Sequence, residues 1–373
     1  MDSGSGLFFS SLICSLLETR FFTKSLLAWH AAHPRPMPWK KTRDPYRIWL
    51  SEIILQQTRV EQGLPYYERF VGRFPDVFAL ASAHQDEVLQ LWQGLGYYSR
   101  ARNLHHTARQ VAVQHQGRFP GSFAELKKLK GVGDYSAAAI ASFAFGLPHA
   151  VVDGNVYRVL ARVFGLRLEA GTGAAKKYFA GLAQELMGKA DPAAFNQAIM
   201  DFGATVCKPA APACAGCPMR KHCVALKTGQ VEQLPLKKAA LRRKTRYLYF
   251  LLLPGPEGYC IEQRGQHDIW ASLYQFPLLE TARRTGIASL QADEAWKKFP
   301  GKQCKVVKAG PWQRQLLTHQ QLEVRLLLLR RSGKLPPAWK RFQFVRAGNV
   351  QQFGFPRILA PALKKIELGE NPI

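Results

Sequence analysis

The sequence predicts a mostly helical N-terminal part joined to a smaller α+β part, and three observations carry that expectation. From Asp44 to about Phe202, apolar residues recur at helical spacing between capping residues. In the middle of this stretch, Leu129 to Tyr135 reads Leu-Lys-Gly-Val-Gly-Asp-Tyr, a glycine hairpin between two helices. Beyond about residue 244, the apolar residues fall instead into short alternating or continuous runs bounded by Gly and Pro, as strands require. A chain of 373 residues is long enough for two domains, each able to bury its own core without disulfide staples.

Charge narrows the partner. The chain carries 52 Lys and Arg against 26 Asp and Glu, a net charge of +26. So large an excess favours a polyanion, with DNA or RNA the simplest candidate. Charge alone does not separate these from a ribosomal or membrane-surface role. The apolar run Leu7 to Leu17 has signal-peptide length, but Asp2 precedes it and no small-residue cleavage site follows, so it is expected to begin a helix. It is too short to span a bilayer. Seven cysteines, four of them clustered, argue for a reducing compartment and a cofactor and against a disulfide framework.

Asp44 with Pro45 opens a helix that places Ile48, Glu52 and Leu55 on one face. A carboxylate on an apolar face is costly to ionise, so Glu52 should hold a proton near neutrality and suit general-acid work. A helix-edge glutamate paired with Arg59 fits the same position. Gln56, Gln57 and Thr58 follow. The turn from Gly94 to Arg102 then combines glycines, Tyr97, Tyr98 and two arginines, Arg100 and Arg102. Aromatic and amide side chains on such turns can wedge between bases while arginines hold phosphates, although core packing uses the same residue types. In the hairpin, Gly131 and Gly133 should leave backbone N–H groups free for a phosphate, with Asp134 capping a helix that runs to Phe145. Asp191 and Pro192 open a further helix carrying Phe195, Ile199 and Phe202, with Asn196 and Gln197 beside them.

Cys207, Cys214, Cys217 and Cys223 have the spacing C-x6-C-x2-C-x5-C. Four thiolates so close in sequence can enclose one metal or one cubane. Zinc sites usually pair two C-x2-C knuckles across a longer spacer, which this run lacks, so a 4Fe-4S cluster is favoured over zinc. Lys208, Arg220 and Lys221 decorate the same loop, and Cys14, Cys260 and Cys304 read as isolated thiols.

The segments Trp49 to Glu52, Leu55 to Thr58, Gly94 to Tyr98, Gly131 to Gly133 and Val152 to Val156, together with the cysteine loop, resemble adenine DNA glycosylases of the MutY type. The match covers about residues 20 to 230. The resemblance implies a helix-hairpin-helix glycosylase domain with a 4Fe-4S loop, and removal of adenine mispaired with 8-oxoguanine or guanine. It implies that Glu52 protonates adenine on its five-membered ring, that Asp153 stabilises the cation developing on the sugar, and that Asn155 orients Asp153. By the same resemblance Tyr135 positions the sugar, Gln197 touches the adenine, and Arg35 and Trp39 line its pocket. Gln57, Thr58, Leu95 and Tyr97 would surround the lesion. Such chemistry requires the adenine to leave the helix.

Lyase relatives such as endonuclease III carry a lysine just after the hairpin, and some relatives carry one four residues beyond the aspartate. Here those positions are Tyr135 and Tyr157, so neither offers an amine, and a monofunctional enzyme is expected. An endonuclease-III-like lyase and a non-catalytic iron-sulfur DNA-binding protein are the alternatives.

The expected division is an N-terminal extension over 1–19, the glycosylase domain over 20–230, a basic linker over 231–245 and a C-terminal domain over 246–373. Strands are expected at Arg246 to Leu253, Tyr259 to Arg264, Cys304 to Ala309 and Gln321 to Leu329, with a helix over Ile287 to Phe299. In the resembled family this domain is nudix-like and helps to read 8-oxoguanine. Residues 280–300 lack the Glu-rich nudix metal helix, so it should bind and not hydrolyse. Ala271 and Ser272 replace the family's paired glycines, and Leu317, Thr318 and His319 replace its Phe-Ser-His, which weakens the expected preference for 8-oxoguanine over guanine. A monomer acting on double-stranded DNA in a bacterial cytoplasm, associated with the nucleoid, completes the expectation.

Overall fold

The computed structural model describes residues 16–236 and 243–373. Cys14, most of the apolar run from Leu7, and the linker residues Lys237, Lys238 and Arg242 lie outside them. The helices in chain order are α1 (Leu16–Ala32), α2 (Pro45–Leu55), α3 (Val60–Arg73), α4 (Val77–Ser82), α5 (Gln85–Leu91), α6 (Ser99–Gln114), α7 (Phe123–Leu126), α8 (Asp134–Phe145), α9 (Gly154–Val163), α10 (Gly173–Met187), α11 (Pro192–Thr205) and α12 (Val224–Lys227). Among the described residues no helix is long and apolar enough to cross a membrane. The chain forms two compact units, one drawn from Met1–Ile53 with Arg118–Ala239, the other from Ile54–Gly117 with Ala240–Ile373.

The first unit packs α9 at its centre. Val156, Val159, Leu160 and Val163 recur at helical spacing and are buried against Phe22 and Leu26 of α1, Phe179 and Ala183 of α10, and Phe195, Ile199 and Phe202 of α11. Burying a large apolar side chain contributes about 1.5–3 kcal/mol, so this cluster fixes the start of α9, where Asp153 sits. The Asp44 carboxylate accepts from the Tyr46 N–H at 2.9 Å, starting α2 at Pro45 as its sequence predicts. Asp191 accepts from the Ala194 N–H at 2.7 Å to start α11. At α8 the expectation fails in detail: Gly133 is the N-cap and Asp134 is the first helical residue, its carboxylate turned to Lys127 at 2.5 Å.

The second unit holds α3 to α6 and two sheets. Its strands are β1 (Lys244–Leu252), β2 (Pro254–Gly255), β3 (Gly258–Gln263), β4 (Tyr274–Gln275), β5 (Leu278–Thr281), β6 (Cys304–Ala309), β7 (Gln313–Leu316), β8 (Gln320–Arg331) and β9 (Gln343–Val345). The larger sheet runs β5-β1-β8-β6 with β7 also on β8, and β1 and β8 are parallel, Leu248 opposite Val324. The smaller sheet runs β2-β3-β4 with β9 on β3. Leu248, Phe250 and Leu252 face one core while Tyr249, Leu251 and Leu253 face another. A strand covered on both sides reads as an unbroken apolar run, which makes β1 visible in the sequence, whereas β8 alternates as far as Arg325 before its run of leucines. The helix expected over Ile287 to Phe299 is instead broken at Asp293, whose extended backbone ends α13 (Ile287–Ala292) and caps α14 (Glu294–Trp296). The carboxylate takes the Ala295 N–H at 2.7 Å, a local bond that competes with helix continuation. A final helix, α15 (Ala360–Glu367), packs Leu363 and Ile366 into the first of these cores.

Candidate active site

Glu52 lies in the last turns of α2 between Ser51 and Ile53, only 6% exposed. Burial pushes its carboxyl up to about 7; the nearby Asp153 charge adds to the rise, and a hydrogen bond with Tyr135 opposes it. Tyr135 stands in the first turn of α8, placed there by the hairpin, where Gly131 adopts a left-handed φ of 78°. Burial, and then the two carboxylates, raise its phenol well above the usual range, so it stays a neutral donor.

Asp153 is the N-cap of α9. Its Oδ1 accepts from the backbone N–H groups of Asn155 and Val156, both at 2.8 Å, and its Oδ2 accepts from Asn155 Nδ2 at 2.8 Å. Burial raises this carboxyl, while the Val156 and Asn155 hydrogen bonds and the charge of Arg158 oppose the rise. Three donors at a helix N-terminus favour the ionised form. Of the two carboxyls, Glu52 is pushed up to about 7, while Asp153 is the one held by three N–H donors and a neighbouring arginine.

Behind Asp153 stand groups that sequence reasoning missed. Arg158 is buried, and its Nη2 donates to Asn155 Oδ1 at 2.8 Å and Gly203 O at 2.7 Å, while its Nε donates to Cys207 O at 2.7 Å. One turn on, Arg162 donates to Lys208 O at 2.7 Å and sits 3.6 Å from Cys207 Sγ. Asp153, Asn155, Arg158 and Cys207 thus form one connected chain. A Cβ on Gly203 would lie 2.7 Å from Asn155 Cβ and 3.1 Å from its carbonyl, so only glycine lets α11 approach α9 there. Two arginines at i and i+4 among the valines of an otherwise apolar helix were the available signal.

Cys207, Cys214, Cys217 and Cys223 are free, partly buried thiols on one loop. Burial pushes Cys217 up to about 11 and raises Cys207 and Cys223, and each of these three also feels others of the four. Among the described residues, no group of three or more His, Cys, Asp or Glu is drawn together as ligands of a metal ion. Cys260 and Cys304 are buried in the sheet unit, in keeping with isolated thiols.

A small cavity of about 50 Å³ opens at Glu52, lined by Trp39, Lys40, Ile48, Ser51, Phe143, Gln197, Met200 and Asp201. Trp39 and Gln197 thus line one cavity with Glu52. Arg35 does not line this cavity; it lies on a wider groove of about 540 Å³ with Trp29, His33 and Asp201. Lys40 and Asp201 were missed, although Lys40 follows Trp39 directly and Asp201 stands one helical turn after Gln197.

The second unit gathers the remaining predicted residues around three turns. Gln57 and Tyr97 are non-glycine residues held at left-handed φ of 55° and 48°, and both are exposed. The Tyr97 hydroxyl lies 3.1 Å from Thr318 Oγ1, on the exposed turn Leu317 to His319 between β7 and β8. Thr58 is partly buried, and Leu95 is buried. Arg100 and Arg102, expected to hold phosphates, are used internally. Arg100 is buried and donates to Ile54 O at 2.9 Å, to Gln56 O at 2.5 Å and, at 3.4 Å each, to Thr58 Oγ1 and Gly96 O, clamping both turns, and burial lowers its guanidinium to about 10. Arg102 donates to Ala271 O at 2.7 Å. Helix-turn carbonyls left without partners account for this use.

Comparisons with known proteins identify the family. Residues 50–185 match the HhH-GPD superfamily base excision DNA repair protein family. The chain is 37% identical over 268 residues to the adenine DNA glycosylase of Buchnera aphidicola subsp. Baizongia pistaciae, covering 70% of this chain and 74% of that one. It is 42% identical over 232 residues to the human adenine DNA glycosylase, covering 60% of this chain and 42% of the human one. The solved structure of a thermostable thymine-DNA glycosylase is similar with a TM-score of 0.51 and 30% identity, covering 56% of this chain and 97% of that one. A non-covalent endonuclease III–DNA complex shares the fold, with a TM-score of 0.50 and 22% identity over 57% of this chain and 97% of that one. The chain therefore belongs to the adenine DNA glycosylases, enzymes of the HhH-GPD base excision repair superfamily.

Proposed function

We propose that this enzyme hydrolyses the N-glycosidic bond of adenine opposite 8-oxoguanine or guanine in double-stranded DNA, acting as a monomer and without strand cleavage. The single observation that carries the mechanism is the joined arrangement of the buried Glu52 carboxyl, its Tyr135 partner and the Asp153 carboxylate capping α9. The adenine, turned out of the duplex, enters the cavity between Trp39 and Gln197. Glu52 gives its proton to the five-membered ring, which makes the base a better leaving group. Asp153, held by Asn155, stabilises the cation that develops on the sugar, and Glu52 then takes a proton from the attacking water. Tyr135 positions Glu52 and the sugar. With no amine at Tyr135 or Tyr157, no Schiff base forms and an abasic site is the product.

Cys207, Cys214, Cys217 and Cys223 would hold one 4Fe-4S cluster. Four sulfurs on one loop, with Arg162 beside Cys207, form a donor set suited to a thiolate-ligated iron cluster. When bound, the cluster supplies a rigid cross-link and a redox centre. Residues 20–230 would form the catalytic domain and 231–245 the linker. Residues 246–373 would be a nudix-like lesion reader without hydrolase chemistry, using Thr318 and His319, while Gly131 and Gly133 hold the DNA backbone and Gln57, Thr58, Leu95 and Tyr97 surround the lesion. The enzyme would act in a bacterial cytoplasm, which the bacterial relative supports, and at the nucleoid, where its DNA substrate lies.

Single-turnover excision on a duplex with adenine opposite 8-oxoguanine tests this reading. Strand breaks should appear only after alkali, and Glu52→Gln and Asp153→Asn should each slow excision by about 10²–10⁴-fold. Breaks without alkali would establish the lyase reading. Undiminished activity in both variants would leave the carboxylates structural.

A further inference from the structure

An aspartate in the first turn of a helix is ordinarily drawn to the free N–H groups there, because their partial positive charge favours an anion. Asp134 is not. It is the first residue of α8, yet among the described residues no side chain caps that terminus, and the first intrahelical bond runs from the Ala137 N–H to Gly133 O at 2.9 Å. The Asp134 carboxylate is turned instead to Lys127 Nζ at 2.5 Å. Lys127 follows α7 directly, and its ammonium also lies 5.6 Å from the centroid of the Phe123 ring, itself stacked on His149 at 4.6 Å. The lysine is thus held from two sides. Beside it Lys128 pairs with Glu125 at 2.6 Å, so in a chain of net charge +26 two of the lysines leading into the hairpin are engaged by carboxylates.

We propose that Lys127 is a positioning residue for DNA binding: it tethers the Asp134 carboxylate away from the start of α8, so that the N–H groups there stay open to a phosphate oxygen of the duplex. The inference rests on the reading of the Gly131 and Gly133 hairpin as a seat for the DNA backbone, and adds the device that keeps this seat vacant until DNA arrives. The physical argument is competition. A carboxylate on the first residue of the helix stands at high effective concentration beside donors that a phosphate also needs. Released from Lys127, Asp134 would occupy them and set a negative charge beside the incoming phosphate. Tethered, its oxygens are engaged elsewhere and its charge is offset. Lys127, bound to Asp134, is then not the partner of the phosphate, which separates this role from that of an ordinary basic contact.

The test is a double-variant cycle in the full-length protein, read as the Kd for a fully paired duplex that offers no mispaired adenine. The proteins are wild type, Lys127→Met, Asp134→Asn, the double variant and Lys127→Arg. The two side chains are 44% and 79% exposed, and exposed pairs contribute little to stability, so these variants keep the fold. Lys127→Met should weaken binding about 2- to 10-fold, the scale of a carboxylate at a helix N-terminus. Asp134→Asn should bind at least as tightly as wild type. In the double variant the loss should vanish, because no carboxylate remains to compete. Lys127→Arg, which can still pair with Asp134, should bind like wild type.

A loss that persists in the double variant would mean that Lys127 touches the phosphate itself, and would overturn the proposal. Wild-type affinity in Lys127→Met would overturn it as well. Gly133→Val separates these outcomes from failure of the hairpin reading. Gly133 has extended backbone and open space around it, so a side chain there meets no neighbour in the protein but obstructs a phosphate. Unchanged affinity in Gly133→Val removes the hairpin as a DNA contact and the tether with it, whereas weakened binding there without rescue in the double variant removes only the tether.

Discussion

The two compact units use polar residues in opposite ways. In the first, Glu52 and Arg158 are withdrawn from solvent, and Asp153, Asn155 and Arg158 satisfy one another through three hydrogen bonds of 2.8 Å before any substrate arrives. In the second, Gln57, Tyr97, Thr318 and His319 are exposed, and two of them sit at backbone angles that side chains rarely adopt. Proton transfer needs a shifted carboxyl, and burial supplies the shift. Contact with a partner needs groups left outside, and the clamp of Arg100 holds Gln56 and Gly96 so that their neighbours stay there. Chemistry is thus buried and satisfied, while the residues proposed for recognition are exposed and strained.

Breaking the buried side should have the larger effect. In Gly203→Ala the added methyl meets Asn155 Cβ and backbone, neither of which can rotate away, so Asp153 should be displaced. Excision should fall by about 10²-fold, the scale of a misplacement of about 1 Å, with a far-UV circular dichroism spectrum like wild type. Wild-type rates in a folded Gly203→Ala would show that the position of Asn155 does not matter.

Glu52 also links stability to pH. Its folded carboxyl is raised from 4.5 to about 7, so the folded state binds the proton more tightly. That contribution is fully present below pH 4.5 and is lost as pH rises through 7, amounting to about 3 kcal/mol at ~1.4 kcal/mol per unit. Glu52→Gln keeps an acceptor for Tyr135 and carries no charge. Its melting temperature relative to wild type should therefore climb between pH 5 and pH 8. A difference that stays constant over that range would mean that burial does not govern this group.

The exposed side should respond least, and with opposite signs in two readouts. Gln57→Gly relieves a left-handed residue at about 1–2 kcal/mol, against about 0.5–1 kcal/mol of added chain entropy. Denaturant unfolding should show a gain of about 0.5–1 kcal/mol, while affinity for mispaired duplex falls. A loss of stability would show that the turn does not store strain.

Much of this was legible in the sequence, for physical reasons. Glu52 announced its burial by its place among Ile48 and Leu55, β1 by an unbroken apolar run and β8 by an alternating stretch that ends in four leucines. Asp44 and Asp191 signalled helix starts because an N-cap is a local bond. What could not be read was tertiary. Arg100 looked like a phosphate contact because its partners, the carbonyls of Ile54 and Gln56, are far away in sequence. Gly203 carries no local mark of the close approach of Asn155 that requires it. The Asp201–Lys40 pair spans 161 residues, which no local pattern reports. The break at Asp293 was the reverse error, a local capping bond hidden inside a helical pattern.

The most direct test of the central claim is the pH dependence of single-turnover adenine excision by wild type, run beside Glu52→Gln. If Glu52 is the acid held protonated by burial, the wild-type rate should stay level below neutrality and fall about tenfold per pH unit above about 7, and the residual rate of Glu52→Gln should lack that limb. A wild-type rate that already declines from pH 4.5, or an unchanged limb in Glu52→Gln, would contradict the account.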